Sequence, residues 1–510
     1  MRVLLLSTYE LGHQPLGIAG PAAILAGAGH ETRGVDLAQT DLPAEDAGWA
    51  QAAAISVPMH TAARLALEVV ARLRRVRNDL PLAFHGLYAP TVALSGLVGP
   101  GDLLVAGDPS DALLEWLAGL ASPPASARRT GPGERVAGSD GPVAGGRGRF
   151  PGGDTPPSSV RIDLGPAHPA AAAPPLRQNL PPLEVYAQLA RGSARTAAAS
   201  VAASHGCNHK CRHCPVAPVY GGRSRPVAIE TVMADVDQVV EMGAGHVSFA
   251  DPDFLNRPQH AVEVARRLHE RHPAVSYDAT VKIEHILRHA TIWPELSAAG
   301  LAFVTSAFES TDDHVLQLLE KGHSAADEGV AVGIVRRAGI DIRPSWLPFT
   351  PWTTSESLSG LLDFAARADL AWSTDAVQYS IRLLLPAGSL LLDHPDPVLE
   401  AAIGRAAQEP PALSTAWCSA RRELDELQVA FAARAEMGTA RGEAPDETFA
   451  AIWRLGLEGG LALALDPPLP SAAAATAAGI AGPDRPRLTE GWFCCAEPTA
   501  AQMTRIASPA

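Results

Sequence analysis

Three cysteines, Cys207, Cys211 and Cys214, stand at C-x3-C-x2-C spacing inside Gly206–Pro215, in a chain with only six cysteines among 510 residues. Thiolates are soft ligands, and three this close together select an iron–sulfur cluster, zinc or copper(I). Structural zinc wants four protein ligands, and His205, His209 and His213 are the neighbours able to complete such a set. A cluster held by only three thiolates leaves one iron open to another molecule. The other cysteines are Cys418 and the adjacent pair Cys494–Cys495, the pair lying between Trp492-Phe493 and Ala496-Glu497-Pro498. Trivalent arsenic is soft and takes three thiolates in a pyramid, so three spare thiols match such a site. A buried free cysteine at Cys418 and an oxidisable tail at Cys494–Cys495 are the plainer alternatives.

The cysteine spacing, with His213 one residue before the last Cys, resembles the radical S-adenosylmethionine (SAM) signature. The resemblance implies a [4Fe–4S] cluster on Cys207, Cys211 and Cys214, with SAM on the fourth iron. The ending Gly491-Trp492-Phe493-Cys494-Cys495-Ala496-Glu497-Pro498 resembles the radical SAM family named for its Cys-Cys-Ala-Glu-Pro tail, some members of which carry selenocysteine at the first Cys. Asp251-Pro252-Asp253-Phe254-Leu255-Asn256 and Phe349-Thr350-Pro351-Trp352-Thr353-Thr354 fit that family too. A position open to selenium implies a chalcogenolate used as ligand or nucleophile. The family is associated with arsinothricin biosynthesis. This implies transfer of the 3-amino-3-carboxypropyl group of SAM to As(III), with Cys418, Cys494 and Cys495 as the catalytic thiols, arsenite as substrate, and a reductant such as flavodoxin or ferredoxin as partner. Two other readings stay open: a cobalamin-dependent radical methyltransferase acting on a small organic molecule, and a non-catalytic, thiol-based metalloid-binding protein.

The elements that must position these residues are alternating strands and helices. Val3–Ser7, His30–Asp36, Ala52–Val57, Pro81–Phe84 and Asp102–Ala106 read as strands, and Gly20–Gly29, Thr61–Arg77 and Asp111–Leu120 as helices. That alternation predicts a doubly wound parallel sheet over residues 1–120. With Ser56-Val57-Pro58-Met59-His60 and His85-Gly86-Leu87-Tyr88-Ala89, it resembles the cobalamin-binding-type domain that precedes many radical SAM barrels. The cobalt-ligating D-x-H-x-x-G pattern is missing, since His13 lacks the Asp. A scaffold-and-lid role is therefore the favoured reading and bound cobalamin the lesser one. Residues 121–180, a mixture of Pro, Gly, Ala, Ser and Arg without apolar periodicity, read as a linker.

Residues 181–390 repeat strand, loop and helix. Strands are expected at Ala198–Ala203, His246–Ala250, Ser276–Thr280, Ala302–Ala307, Gly339–Pro344 and Val377–Leu385, with helices Ile229–Met242, Ala261–His272, Asp313–Lys321 and Ser355–Ala368 between them. This fits the partial (β/α)6 barrel that the resemblance implies. Parallel strands put functional loops at their C-terminal ends, where the polar residues fall. Asp251 and Asp253 there suit the ammonium of SAM, though a solvated turn or a calcium-like loop would read the same. Glu309 with Ser306 and Ser310 falls at the ribose-binding position that the resemblance implies. Lys282 and Arg382 could pair with the SAM carboxylate or form ordinary rim salt bridges. Residues 391–510 are Ala-rich, with helices at Pro397–Gln408, Ser419–Met437 and Asp446–Leu455, a loose stretch at Pro467–Pro486, and then the tail.

Composition sets outer bounds. Hydrophobic residues make up 47% of the chain, ample for buried cores, and a net charge of −14 offers no basic face for nucleic acid or anionic lipid. Met1–Ser7 reads as a strand rather than a signal peptide, and no apolar run reaches membrane-spanning length. Few cysteines with three committed to a cluster point to a reducing, cytoplasmic setting.

Overall fold

The computed structural model describes residues 1–99, 101–121, 160–163, 173–393, 395–407, 413–467, 484–492 and 494–507. Most of the expected linker, most of the loose stretch 467–486, and Phe493 beside the cysteine pair lie outside the described residues.

The first sheet has six parallel strands in the order β2-β1-β3-β4-β5-β6. They are β1 (Arg2–Ser7), β2 (Glu31–Asp36), β3 (Ala52–Ser56), β4 (Leu82–His85), β5 (Leu103–Gly107) and β6 (Val160–Asp163). β1 and β3 are buried along almost their whole length, as continuous apolar runs are when helices cover both faces of a parallel sheet. Helix His60–Val76 supplies one cover, burying Leu65, Val69, Val70 and Leu73. The sixth strand corrects the sequence reading. Val160–Asp163 belongs to the stretch read as linker, yet it pairs with β5 from Leu104↔Val160 to Gly107↔Asp163. A four-residue strand completed by a distant edge leaves little periodic signal of its own.

The second sheet carries the cysteine loop. Its order is β14-β13-β12-β11-β8-β7-β15. β7 (Gln188–Arg191) runs antiparallel to β8 (Ala194–Val201), the first strand of a parallel series. The chain then makes a small antiparallel clamp, β9 (Ser204–Gly206) with β10 (Ser224–Pro226), whose intervening loop holds Cys207, Cys211 and Cys214. The parallel series continues with β11 (His246–Phe249), β12 (Ser276–Thr280), β13 (Leu301–Glu309) and β14 (Asp341–Trp346). Helices Ile229–Glu241, Pro258–Arg271, Ala325–Arg337 and Ser355–Arg367 alternate with these strands. This is the expected half-barrel.

The expected sixth barrel strand, Val377–Leu385, is a correction. Ala376–Ser380 is a short 3-10 helix, and a single bridge, Phe349↔Arg382, marks where that strand would lie. Its buried residues Val377, Ile381, Leu383 and Leu385 pack with Trp352, Trp417 and Ala496 instead of continuing the sheet. Last comes β15 (Arg487–Leu488), antiparallel to β7, which returns the C-terminal segment to the sheet edge. No described helix is long and apolar enough to cross a membrane.

Candidate active site at the cysteine loop

Gly206 opens the cysteine loop at φ +76°, and a Cβ there would lie 2.4 Å from the Arg223 carbonyl oxygen across the clamp. Only glycine allows that approach. Asn256, just past β11, then anchors the loop. Its side-chain oxygen accepts from Asn208 N–H at 3.0 Å and lies 3.7 Å from Cys207 Sγ, while Asn208 Nδ2 donates to the Asn256 carbonyl at 2.9 Å. From the far side, Arg212 N–H donates to the Leu319 carbonyl.

All three loop cysteines are free thiols, with Cys207 and Cys211 buried. Burial raises the Cys207 thiol, and it pushes Cys214 up to about 12, reinforced by Cys211 and Cys207 and opposed by Lys321. Three thiols on one loop are a donor set that suits a cluster with one open iron. The first sheet roofs this loop, because Ala106 of β5 and Leu87 pack against Cys207, Cys214, Val216 and Tyr220.

β13 ends in a register shift between Ala307 and Glu309, and Glu309 sits at φ +69°. A left-handed backbone at a non-glycine residue is strained and marks functional sites. The bend turns the Glu309 carboxylate to Lys321 Nζ at 3.0 Å and His213 Nε2 at 3.3 Å. Lys321 and His213 hold this buried carboxyl far below the usual carboxylate range even though desolvation opposes them. Lys321, itself buried, also faces Cys211 and Cys214. The sequence reading had Glu309 as a ribose acceptor; the structure ties it to the loop that carries the thiols. Lys321 was missed, because a lysine at the end of a short helix reads as surface.

Asp253 is buried, with Oδ1 accepting from Leu255 N–H at 3.1 Å. Its other oxygen lies 2.8 Å from His285 Nδ1 and 4.0 Å from His209 Nε2. Lys282 and Glu284, 3.5 Å apart, border His209. Asp253, Lys282 and Glu309 are thus gathered around the cysteine loop.

The other expected cofactor residues are engaged elsewhere. Asp251 accepts from Ala203 N–H at 2.8 Å and from Ser204 Oγ, fixing the entry to the clamp, and burial pushes its carboxyl up to about 7. Ser306 donates to the Val281 carbonyl at 2.6 Å, tying β13 to the end of β12. Arg382 pairs with Asp425 at 2.6 Å, donates to the Trp417 carbonyl and stacks 3.5 Å over the Trp417 ring.

The tail pair comes to this same site. Cys494 and Cys495 Sγ are 3.5 Å apart. The Cys494 hydrogen bond, burial and the nearby Glu309 carboxylate hold Cys495 well above the usual thiol range. Burial, followed by the negative potential of Cys495, Cys494 and Cys214, likewise raises the Tyr88 hydroxyl. Tyr88 therefore lies within electrostatic reach of both the tail pair and Cys214. Cys418 does not join them: its N–H donates to the Ala402 carbonyl and its carbonyl accepts from Arg405. Among the described residues, only His209, Asp253 and His285 form a set of three Cys, His or carboxylate ligand atoms within 4.8 Å of one another. The thiols of Cys418, Cys494 and Cys495 do not all lie within 4.8 Å of one another, and neither do those of Cys207, Cys211 and Cys214.

Residues 201–347 match the radical SAM superfamily model. No curated protein matches the chain in sequence. Among solved structures, the chain is similar in fold to TsrM from Kitasatospora setae, a radical SAM methyltransferase solved with cobalamin and a [4Fe–4S] cluster. The TM-score is 0.52 at 18% identity, over 72% of this chain and 70% of that one. It is also similar to OxsB, a cobalamin-dependent SAM radical enzyme solved with aqua-cobalamin, with a TM-score of 0.52 at 13% identity over 78% of this chain. This chain spans 56% of OxsB's length. With the superfamily model lying over the cysteine loop and the half-barrel that presents it, this chain is an enzyme carrying a radical SAM domain, with a [4Fe–4S] cluster and SAM as its cofactors.

Proposed function

We propose that this enzyme transfers the 3-amino-3-carboxypropyl group of SAM to trivalent arsenic held by Cys494 and Cys495. The observation that carries the reading is the packing of Cys495 in one cluster with Leu319, whose carbonyl accepts from Arg212 N–H of the cysteine loop. Two thiols 3.5 Å apart suit two bonds to one soft, pyramidal atom. Cys418, whose thiol does not lie within 4.8 Å of both tail thiols, is left out of this reading, and the third arsenic position is assigned to a solvent-derived hydroxide.

Cys207, Cys211 and Cys214 would hold the cluster, which would supply the electron for SAM cleavage. Asp253 offers a buried carboxylate oxygen to the SAM ammonium and Lys282 a cation to its carboxylate. Glu309, held ionised between Lys321 and His213, keeps Lys321 aimed at the cluster thiols. Tyr88, neutral at working pH, and the docked tail exclude water from the space between the thiol groups. The transfer balances as breakage of the SAM Cγ–S bond, departure of methylthioadenosine and formation of a C–As bond with As(III) becoming As(V). An external donor such as flavodoxin or ferredoxin would therefore only prime the cluster with an electron that the product-forming step returns.

The fold likeness to TsrM favours a second reading, methyl transfer to a small organic molecule. Anaerobic turnover of the reconstituted enzyme with SAM and reductant, with and without arsenite, separates the two. Methylthioadenosine with an arsenic-bearing amino acid is the expected outcome, and Cys495→Ser should abolish that product while the cluster absorbance stays. S-adenosylhomocysteine beside 5′-deoxyadenosine, indifferent to arsenite, would establish methyl transfer instead.

A further inference from the structure

Open parallel sheets bind ligands outside the carboxyl ends of their strands, at the point where strand order reverses. In the first sheet that point lies between β1 and β3. Protein already fills it. Glu10, just past β1, is half-buried there and accepts from Gly17 N–H and from Ser56 Oγ of β3, each at 3.1 Å. Gly17 packs so tightly that a Cβ would sit 2.0 Å from Ser56 Oγ and 2.5 Å from Glu10.

The C-terminal tail covers the same edge. Tyr9 OH donates to Glu490 at 3.1 Å, and the Glu490 side chain lies on the Gly12 backbone, 2.8 Å from where a Cβ would be. Thr61 Oγ1 donates to the Ala496 carbonyl at 2.7 Å, and Thr61 N–H points at the Cys494 carbonyl at 3.5 Å. His60 Nε2 and Arg64 Nε both reach Glu497, at 2.8 and 3.0 Å. Beyond the pair, helix Ala500–Ala507 buries Ile506 against the first sheet's core, with Met503 and Trp492 beside it, and Arg72 donates to the Ile506 carbonyl at 2.6 Å. Cys494, Ala496 and Glu497 are thereby held from the N-terminal domain.

We propose that this crevice is the receptor for the chain's own Cys-Cys tail, with His60, Thr61 and Arg64 as positioning residues for the dithiol, and that this enzyme does not bind a corrinoid there. The residues present do not suit that cofactor: the gap between β1 and β3 is closed by Glu10 and Ser56, and the edge above it is occupied by Glu490 and Cys494–Glu497. The domain shared with cobalamin-bearing folds serves here as a clamp. Its role can be tested apart from the arsenic reading, because neither measurement below needs SAM or arsenic.

The experiment uses the full-length, cluster-reconstituted protein. Equilibrium dialysis against hydroxocobalamin, followed by visible spectroscopy, should leave no stoichiometric corrinoid. In parallel, iodoacetamide labelling of Cys494 and Cys495 is followed by peptide mass spectrometry in the native protein and in Glu497→Ala. Glu497 has a largely solvent-exposed side chain, so the variant should fold, and an unchanged cluster spectrum verifies this. Loss of both Glu497 contacts should speed labelling of the pair by about fivefold or more, the equivalent of a well-placed ion pair, with Cys418 labelling unchanged as the internal control. Stoichiometric corrinoid in the native protein, or tail labelling that Glu497→Ala does not change, would overturn the proposal.

Discussion

Single side chains around the site owe their charge states to burial as much as to partners. His323 and Glu328 lie 3.6 Å apart with both side chains fully buried, a separation that by itself suggests an ion pair. Burial decides otherwise, pushing Glu328 up to about 10 and His323 down to about 4, so both are neutral near pH 7. The sign of the consequence follows. The unfolded chain ionises Glu328 above its ordinary value of 4.5 while the folded protein keeps the proton, so this residue's contribution to stability falls as pH rises through that window. The shift amounts to roughly 3 kcal/mol between pH 4.5 and pH 7. Glu328→Gln keeps the shape and removes the titration. Its urea midpoint should match the parent near pH 4 and exceed it at pH 8; equal midpoints at both values would refute the assignment. By contrast, the Glu309 carboxylate stays charged because Lys321 and His213 outweigh a desolvation penalty of the same kind.

At the scale of elements, the clamp of β9 and β10 is the part on which the cysteine loop depends. Gly206→Ala places a methyl group against the Arg223 carbonyl and Tyr220 at a left-handed φ, where neither the backbone nor an aromatic ring can yield cheaply. The variant should assemble less than half the parent's iron and sulfide per chain and lose SAM cleavage in proportion. Full cluster occupancy, read by iron analysis and the visible spectrum, would show that the clamp tolerates the strain. Several element ends were legible in the sequence for the same local reasons. Helix Asp313–Leu318 starts at Asp312, whose carboxylate accepts from His314 N–H at 2.9 Å. The end of helix Ile229–Glu241 falls beside Gly243, at φ +101°.

Across the whole molecule, one buried cation fastens the two sheets together. Arg177 is fully buried; it donates to both Asp235 oxygens at 2.7 and 2.8 Å, to the Ser200 carbonyl of β8 at 2.6 Å, and to Gln14 beyond β1 at 3.2 Å. Arg177→Leu strands the Asp235 carboxylate in a dry seam, and breaking such a pair costs on the order of 3–5 kcal/mol. Urea denaturation of Arg177→Leu should show that loss, and adding Asp235→Asn should restore a substantial part of it. Equal stability of the single variant and the parent would mean that water reaches the seam.

The sequence alone determined the local chemistry and the order of the elements. Thiol spacing is a one-dimensional property, and so is the alternation of buried runs with amphipathic helices, so the cysteine loop, the parallel half-barrel and the N-terminal doubly wound sheet could all be read from it. Which loop-end groups face the site depends on hydrogen bonds that only packing assigns. Asp251, Ser306 and Arg382 looked equivalent to Asp253, Lys282 and Glu309 along the chain, but the first three are engaged in internal ties. Lys321 and the strand formed by 160–163 were invisible for the same reason. Cys494 lies 280 residues beyond Cys214 in the sequence. Only the closing of the tail onto the first sheet, through Tyr9, His60, Thr61 and Arg64, brings those thiols to one site.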